Sequence, residues 1–142
     1  VLLDSLNKRV KFLNEVIERL GLTGITAIHG RAEDIAKQKE YRGSFDLVVS
    51  RAVANLSSLS EHCLPFVKAG GLFVPYKSGS VDLELSEAEK AIKVLGGEYR
   101  DTVRFTLPDT DIDRTLVVIG KVKETPKKYP RKAGTPSKEP IR

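Results

Sequence analysis

Apolar residues recur along this chain at regular spacings, and the spacings predict which segments are helices. From residue 6 to residue 20, apolar positions alternate at intervals of four and three residues, which predicts an amphipathic helix. Asp4 or Ser5 is expected to cap its start and Gly21 its end. The same alternation from residue 81 to residue 95 predicts a second such helix, which the two glycines after it end.

A third helix is predicted between these two. Residues 55–68 carry apolar positions at helical spacing, the last of them Val67, and the helix is expected to end near Gly70. Pro65 lies inside this pattern and is expected to kink or shorten the helix, because proline has no backbone N–H to donate.

Continuous apolar runs predict the strands. Residues 45–50, FDLVVS, are apolar almost throughout, which is typical of a strand covered on both faces. Shorter runs predict strands at residues 1–3, 24–28, 72–76, 99–107 and 115–122. The last two strands have no helix between them and are therefore expected to be antiparallel, whereas the others alternate with helices. This order predicts an α/β sheet with helices on both faces, whose ligands bind beyond the carboxyl ends of the strands.

The composition limits the class of protein. The chain has 142 residues, 40% of them hydrophobic and 30% charged, with one cysteine and two histidines. These values indicate a single globular domain, without a disulfide framework or a closed zinc site. We therefore expect a cytoplasmic protein with no metal, and no apolar run is long enough to predict a membrane span.

Positive charge is concentrated at the end of the chain. Residues 121–142 carry eight Lys or Arg and two Glu, whereas residues 1–120 have a net charge of −1. Four prolines in this segment and a single aromatic residue, Tyr129, indicate that it adds no core and runs extended over a surface. Such a segment is typical of a protein that binds a phosphate backbone, although a solubilising terminus has the same composition.

Three places at the predicted carboxyl edge carry candidate chemistry. Asp4 follows an apolar strand, where an acid accepts hydrogen bonds from ribose hydroxyls, although a plain helix cap needs the same residue. Arg31 to Asp34 follow the next strand and either edge an adenine or cap a helix. Arg51 follows the apolar run 45–50 and requires an anion, either a ligand or an ion pair with Glu33 or Asp46.

No set of residues suggests a nucleophile, a general base or a metal site. His29 and His62 are predicted on a loop and a helix surface, and Cys63 in the core. The absence of a general base favours a reaction in which the alignment of two reactants is sufficient.

Several separated stretches together resemble the RsmG family, also called glucose-inhibited division protein B. The matching stretches are VLLDSLNKRVKFL, the Arg31-Ala32-Glu33 loop, FDLVVSRAVANL, LPFVKAGG and YPRKAGTPSKEPI. The resemblance implies a doubly wound, Rossmann-like methyltransferase fold, mostly parallel with an antiparallel last strand. It also implies S-adenosylmethionine as cofactor and methylation of guanine N7 in bacterial 16S ribosomal RNA, by a protein that we expect to be a monomer.

The resemblance further implies roles for individual residues. Asp4, Ser5 and Leu6 would lie along the cofactor ribose, Ala32 and Glu33 would frame its adenine, and Arg51 would lie at its methionine end or beside the target base. RNA phosphates would contact Lys127, Lys128, Arg131 and Lys132, which hold the substrate without reading its sequence. Attack by guanine N7 on a sulfonium methyl needs no deprotonation, which agrees with the absence of a general base.

The chain departs from the family pattern at its start. The family's first strand and glycine-rich turn are not in this sequence, so we interpret residues 1–122 as a partial methyltransferase domain and residues 123–142 as a basic extended tail. We expect a carboxy-terminal fragment that binds S-adenosylmethionine poorly by itself. Two other functions stay open: a non-catalytic RNA-binding α/β module and a nicotinamide-dependent dehydrogenase, the latter disfavoured because the chain has no Gly-x-Gly-x-x-Gly.

Overall fold

The computed structural model describes residues 1–51 and 54–142, in which helices and strands alternate along most of the chain. The strands are β1 (Leu2–Asp4), β2 (Ala27–His29), β3 (Phe45–Ser50), β4 (Val67–Lys77), β5 (Gly97–Thr106) and β6 (Asp113–Lys121). The helices are α1 (Asn7–Arg19), α2 (Ala32–Ile35), α3 (Leu56–Cys63), α4 (Asp82–Val94) and α5 (Thr135–Lys138). The helices predicted from residues 6–20 and 81–95 are therefore present.

The strands form two hydrogen-bonded groups. β1 and β2 pair in parallel, with Leu3 opposite Ile28. The other group has the order β3-β4-β6-β5, in which β3 and β4 are parallel and β6 is antiparallel to both of its neighbours. The predicted α/β fold with an antiparallel last strand is confirmed. Among the described residues, β1 and β3 each have one sheet edge without a strand partner.

The main hydrophobic core lies against the four-stranded sheet. Phe73 of β4 and Ile119 of β6 are fully buried there, and α3 and α4 cover them with Leu56, Leu59 and Ile92. A smaller cluster of Ile35, Ala36 and Phe66 contacts Leu3 of β1 and both Phe45 and Val48 of β3. This second cluster joins the two groups of strands through side chains.

The third helix is shorter than the sequence predicts. α3 ends at Cys63, residues Leu64–Phe66 form a 3-10 turn, and β4 begins at Val67. The prediction that Val67 belongs to the helix is wrong, because Pro65 interrupts the helical hydrogen bonds and the chain leaves the turn extended. Cys63 was predicted in the core, and it is partly buried and packs against the main core.

β3 is covered on one face only, which contradicts the prediction from its apolar run. Val48 contacts both clusters, whereas Leu47 and Val49 point to the other face and are 54% and 51% exposed. The helix α1 is similarly open: Val10 is buried, but Leu6 and Leu20 at the ends of its apolar face are exposed. Both β3 and α1 therefore have exposed apolar side chains.

Residues 122–142 lie against the body of the protein and contribute to its core. Tyr129 and Ile141 pack on the main core, and Pro136 is buried. The prediction that this segment adds no core is therefore wrong. Its backbone is irregular apart from α5, and side chains of the body, among them Arg42 and Ser58, donate to several of its carbonyl groups.

Candidate functional site

Asp4 lies at the carboxyl end of β1, at the point where the chain turns into α1. Its Oδ1 accepts a hydrogen bond of 2.8 Å from the backbone N–H of Leu6, and its Oδ2 lies 3.4 Å from the guanidinium of Arg9. The hydrogen bond from Leu6 holds the pKa of the Asp4 carboxyl below its usual value. Asp4 is therefore an ionised acceptor with lone pairs free for a ligand.

The first turn of α1 has no side-chain cap. The N-cap residue is Leu6, whose apolar side chain makes no hydrogen bond to the first turn. The prediction that Asp4 or Ser5 caps α1 is therefore wrong, and Oδ1 of Asp4 instead fixes the turn before the helix. Ser5 and Leu6 are exposed beside Asp4, and the carbonyl of Ser5 lies 3.1 Å from Nε2 of His29 at the end of β2.

Glu33 lies in α2, directly after β2, but its carboxylate points inward. The side chain is 7% exposed, and its Oε1 accepts a hydrogen bond of 2.8 Å from the backbone N–H of Gly134. Burial by itself raises the pKa of Glu33, but the hydrogen bond from Gly134 and the nearby His62 outweigh it, and the resulting pKa is lowered. Ala32, by contrast, is only partly buried.

Arg51 is exposed at the carboxyl end of β3. Asp46 pairs with Lys68, and Glu33 is bound by Gly134, so within the described part of the chain neither forms the ion pair that the sequence left open for Arg51. Ala52 and Val53, in the same stretch, lie outside the described residues. The position of Arg51 therefore suits an anionic ligand.

An open cleft of about 750 Å³ adjoins Arg51 at the carboxyl ends of β3 and β4. Its lining also includes Tyr76, which is exposed, and Arg114 at the start of β6. Lys77 is held in place there, since its Nζ donates to the carbonyl of Ala54 and to Glu84 at 2.7 Å. The cleft combines two guanidinium groups with an aromatic ring, which suits a nucleotide.

The four predicted RNA-binding residues differ in their surroundings. Lys127, Lys128 and Lys132 are exposed, and Nζ of Lys128 lies 5.2 Å from the ring centre of Tyr129. The Arg131 guanidinium is instead bound by both carboxylate oxygens of the buried Glu61, at 2.7 to 3.1 Å. This pair raises the pKa of Arg131.

Three residues that organise these places were not among the predicted site residues. Arg114 lies just before the predicted strand 115–122 and had no predicted role, although it borders the cleft. Glu61 and Gly134 received no role. The one available signal for Glu61 was an acidic residue among apolar and hydroxyl-bearing positions of a predicted buried helix.

Most of the chain matches one protein family. Residues 1–115 match the family model described as GidB, rRNA small subunit methyltransferase G. The chain belongs to this family. The resemblance that the sequence motifs predicted is thus confirmed.

Relatives within the GidB family agree with this assignment. Ribosomal RNA small subunit methyltransferase G of Lachnoclostridium phytofermentans is 60% identical over 141 residues, a match that covers 99% of this chain and 58% of the relative. The protein of the same name from Desulforamulus reducens is 57% identical over 140 residues, covering 99% of this chain and 58% of that protein. The chain therefore spans less than two thirds of the length of these relatives.

Solved structures support the fold of this GidB family member. NSun6 from Pyrococcus horikoshii has a TM-score of 0.65 at 13% identity, with 86% of this chain and 41% of that chain covered. At such identity the likeness concerns the fold alone. No helix in residues 1–51 and 54–142 has the length and apolar content needed to cross a membrane.

Proposed function

We propose that this chain forms part of a methyltransferase that transfers a methyl group from S-adenosylmethionine to guanine N7 of bacterial 16S ribosomal RNA. Family membership supports the reaction class. The observation that carries the proposal is the Asp4 carboxylate with its lowered pKa at the end of a parallel strand. Ligands of α/β sheets bind at such strand ends.

The residues at the carboxyl edge fit this cofactor. Asp4 retains acceptor capacity for the two ribose hydroxyls, and the exposed guanidinium of Arg51 suits the carboxylate of the methionine end or the target base. Ala32 is available for the adenine edge. S-adenosylmethionine, when bound, supplies an electrophilic sulfonium methyl group. The N7 atom of guanine has a free lone pair, so the protein has only to align the two reactants.

The amino-terminal part of the relatives is needed for a complete site in this proposal. Within the described residues, β1 and β3 each have one edge without a strand partner, and a further strand between them would pair both edges. We therefore propose that the chain binds S-adenosylmethionine well only when it is joined to the amino-terminal part that its relatives have.

The exposed lysines of residues 122–142 support an RNA partner. Lys127, Lys128 and Lys132 carry three positive charges on one short segment, and within the described residues none of the three pairs with a carboxylate. Arg131 belongs to this group in the sequence-based proposal, but its guanidinium is bound by Glu61. We propose that the three lysines contact phosphates and that Arg131 mainly holds their segment.

Binding of S-adenosylmethionine tests the cofactor site of the proposal. In the chain extended at its amino terminus, Asp4→Ala is expected to weaken S-adenosylmethionine binding by roughly 10- to 100-fold, because a charge-assisted hydrogen bond contributes about 1.5–3 kcal/mol. Asp46→Ala, on an exposed acid paired with Lys68, is the control and is expected to change little. Equal cofactor binding by wild type and Asp4→Ala would contradict the site.

RNA binding tests the role of the lysines. Log affinity falls with log salt, and each phosphate contact contributes about 0.7 to 0.9 to the steepness of that fall. Replacing Lys127, Lys128 and Lys132 by Gln should therefore make the fall less steep by roughly 2 to 3. Substitutions are preferable to truncation because removing the segment would unpair Glu61 and destabilise the body. RNA binding without any cofactor binding would favour the non-catalytic RNA-binding module instead.

A further inference from the structure

The carboxylate of Glu33 is turned away from the edge where a cofactor would bind. It is 7% exposed and accepts the N–H of Gly134, which is 101 residues away in the sequence. His62 of α3 lies 3.6 Å from the same oxygen. A buried, ionised carboxylate requires partners of this kind, so the side chain is engaged inside the protein.

Gly134 is held in place by the residues before it. The backbone N–H of Arg131 donates to Glu61 at 2.7 Å, and the guanidinium of Arg131 binds both oxygens of the same carboxylate. Gly134 has φ +85°, a left-handed conformation that glycine adopts without strain. The segment 131–134 is therefore fixed on α3 at one end and on α2 at the other.

The helix α2 has little stability of its own. It contains four residues, and its N-cap residue, Arg31, makes no side-chain hydrogen bond to the first turn. A helix this short does not persist without tertiary contacts. Ile35 anchors one side of α2 in the small core, and the hydrogen bond between Glu33 and Gly134 anchors another.

We propose that Glu33 is a positioning residue, and that the carboxy-terminal segment holds α2, through the hydrogen bond from Gly134 to Glu33, at the adenine side of the cofactor site. This inference rests on the proposed function and replaces a direct contact between the Glu33 carboxylate and the adenine. The segment that carries the RNA-facing lysines is thereby connected to the cofactor-facing helix through Arg131 and Gly134.

Variants of Glu33 separate positioning from direct contact. In the chain extended at its amino terminus, Glu33→Gln keeps an oxygen that accepts from Gly134, whereas Glu33→Ala removes it. We expect the dissociation constant of S-adenosylmethionine, measured by calorimetry, to stay within about 2-fold in Glu33→Gln and to rise roughly 10-fold in Glu33→Ala. Glu40→Ala, on an exposed acid in the turn after α2, is the matched control and should bind as the wild type.

A distant substitution tests the connection itself. Arg131→Ala changes no residue of α2, yet it should raise the dissociation constant and the KM for S-adenosylmethionine by a similar factor while leaving kcat nearly unchanged. The double variant with Glu33→Ala should bind no more weakly than Glu33→Ala alone, since both changes break one connection. Arg131→Lys, which keeps the charge, serves if Arg131→Ala fails to fold, and it should show a smaller loss.

Hydrogen exchange gives a readout that does not depend on cofactor binding. The Ala36 amide donates to the carbonyl of Ala32, so its exchange reports the opening of α2. Exchange should be faster in Glu33→Ala and Arg131→Ala, and unchanged in Glu33→Gln and Glu40→Ala. Unchanged exchange in Arg131→Ala, or equal cofactor losses in Glu33→Gln and Glu33→Ala, would overturn the inference. A wild type that binds no cofactor but shows these exchange changes would overturn the proposed function alone.

Discussion

The four-stranded and two-stranded parts of this protein differ in how completely they bury their apolar residues. In the four-stranded part, Phe73 is 0% exposed between the sheet and two helices. In the two-stranded part, Phe12 of α1 is 64% exposed, and Val10 is the buried residue of that helix. Both parts have the apolar pattern of a folded domain, so the pattern alone does not determine burial.

The difference follows from what each part has to pack against. β4 and β6 are hydrogen-bonded on both edges, and α3 and α4 cover one face of their sheet. β1 and β2 have three residues each, and in the described part of the chain β1 has one edge without a strand partner. A two-stranded unit this small is marginal in water unless other elements cover it.

The largest expected effect concerns two phenylalanines. In the chain extended at its amino terminus, Phe73→Ala should lower the free energy of unfolding by about 3–5 kcal/mol, because it leaves a cavity in the main core. Phe12→Ala on the exposed face of α1 should change it by less than about 0.5 kcal/mol. Urea unfolding of both variants measures these values. A large loss in Phe12→Ala would show that α1 is covered in the longer chain.

The next effect tests the open edges directly. Joining the amino-terminal part of the relatives should slow hydrogen exchange in β1 and β3 by roughly 100-fold and leave the central amides of β6 nearly unchanged. Calorimetry should show a comparable gain in S-adenosylmethionine affinity over the 142-residue chain. Equal exchange and equal affinity in the two chains would contradict the comparison.

A smaller effect is expected at Lys121, the buried end of β6. Its Nζ donates to the carbonyl of Leu64 and to Thr125, and burial lowers its pKa from 10.5 to about 8. The unfolded chain therefore binds more protons between pH 8 and 10.5, and this group makes stability rise with pH across that window. Lys121→Met should remove this rise in the free energy of unfolding, which is on the order of 2 kcal/mol. Urea unfolding between pH 7 and pH 10 measures it.

The smallest effect is expected at an exposed ion pair of the four-stranded part. Arg104 lies 2.7 Å from Asp82, but both side chains are more than half exposed. Arg104→Ala should lower the free energy of unfolding by less than about 1 kcal/mol, because solvent screens such pairs. A thermal melt at low and high salt measures it. A loss well above this value would contradict the prediction that solvent screens this pair.

The sequence predicted the order of elements and the candidate edge better than it predicted burial. The helices α1 and α4 follow directly from apolar spacing, and Asp4 is at the end of its strand as expected. The role of Glu33 could not be predicted in the same way. Its partner Gly134 is far away in the chain, and no local pattern reports a contact at that separation.

The sequence by itself therefore determined the α/β class, the family and the residues at the ends of the strands, because local spacing and short motifs encode them. The tertiary structure decided which apolar faces are covered and where residues 122–142 lie. It turned an expected surface tail into a segment held by Glu61, Glu33 and the main core. Burial and long-range hydrogen bonds depend on which segments meet, and that is a property of the folded chain as a whole.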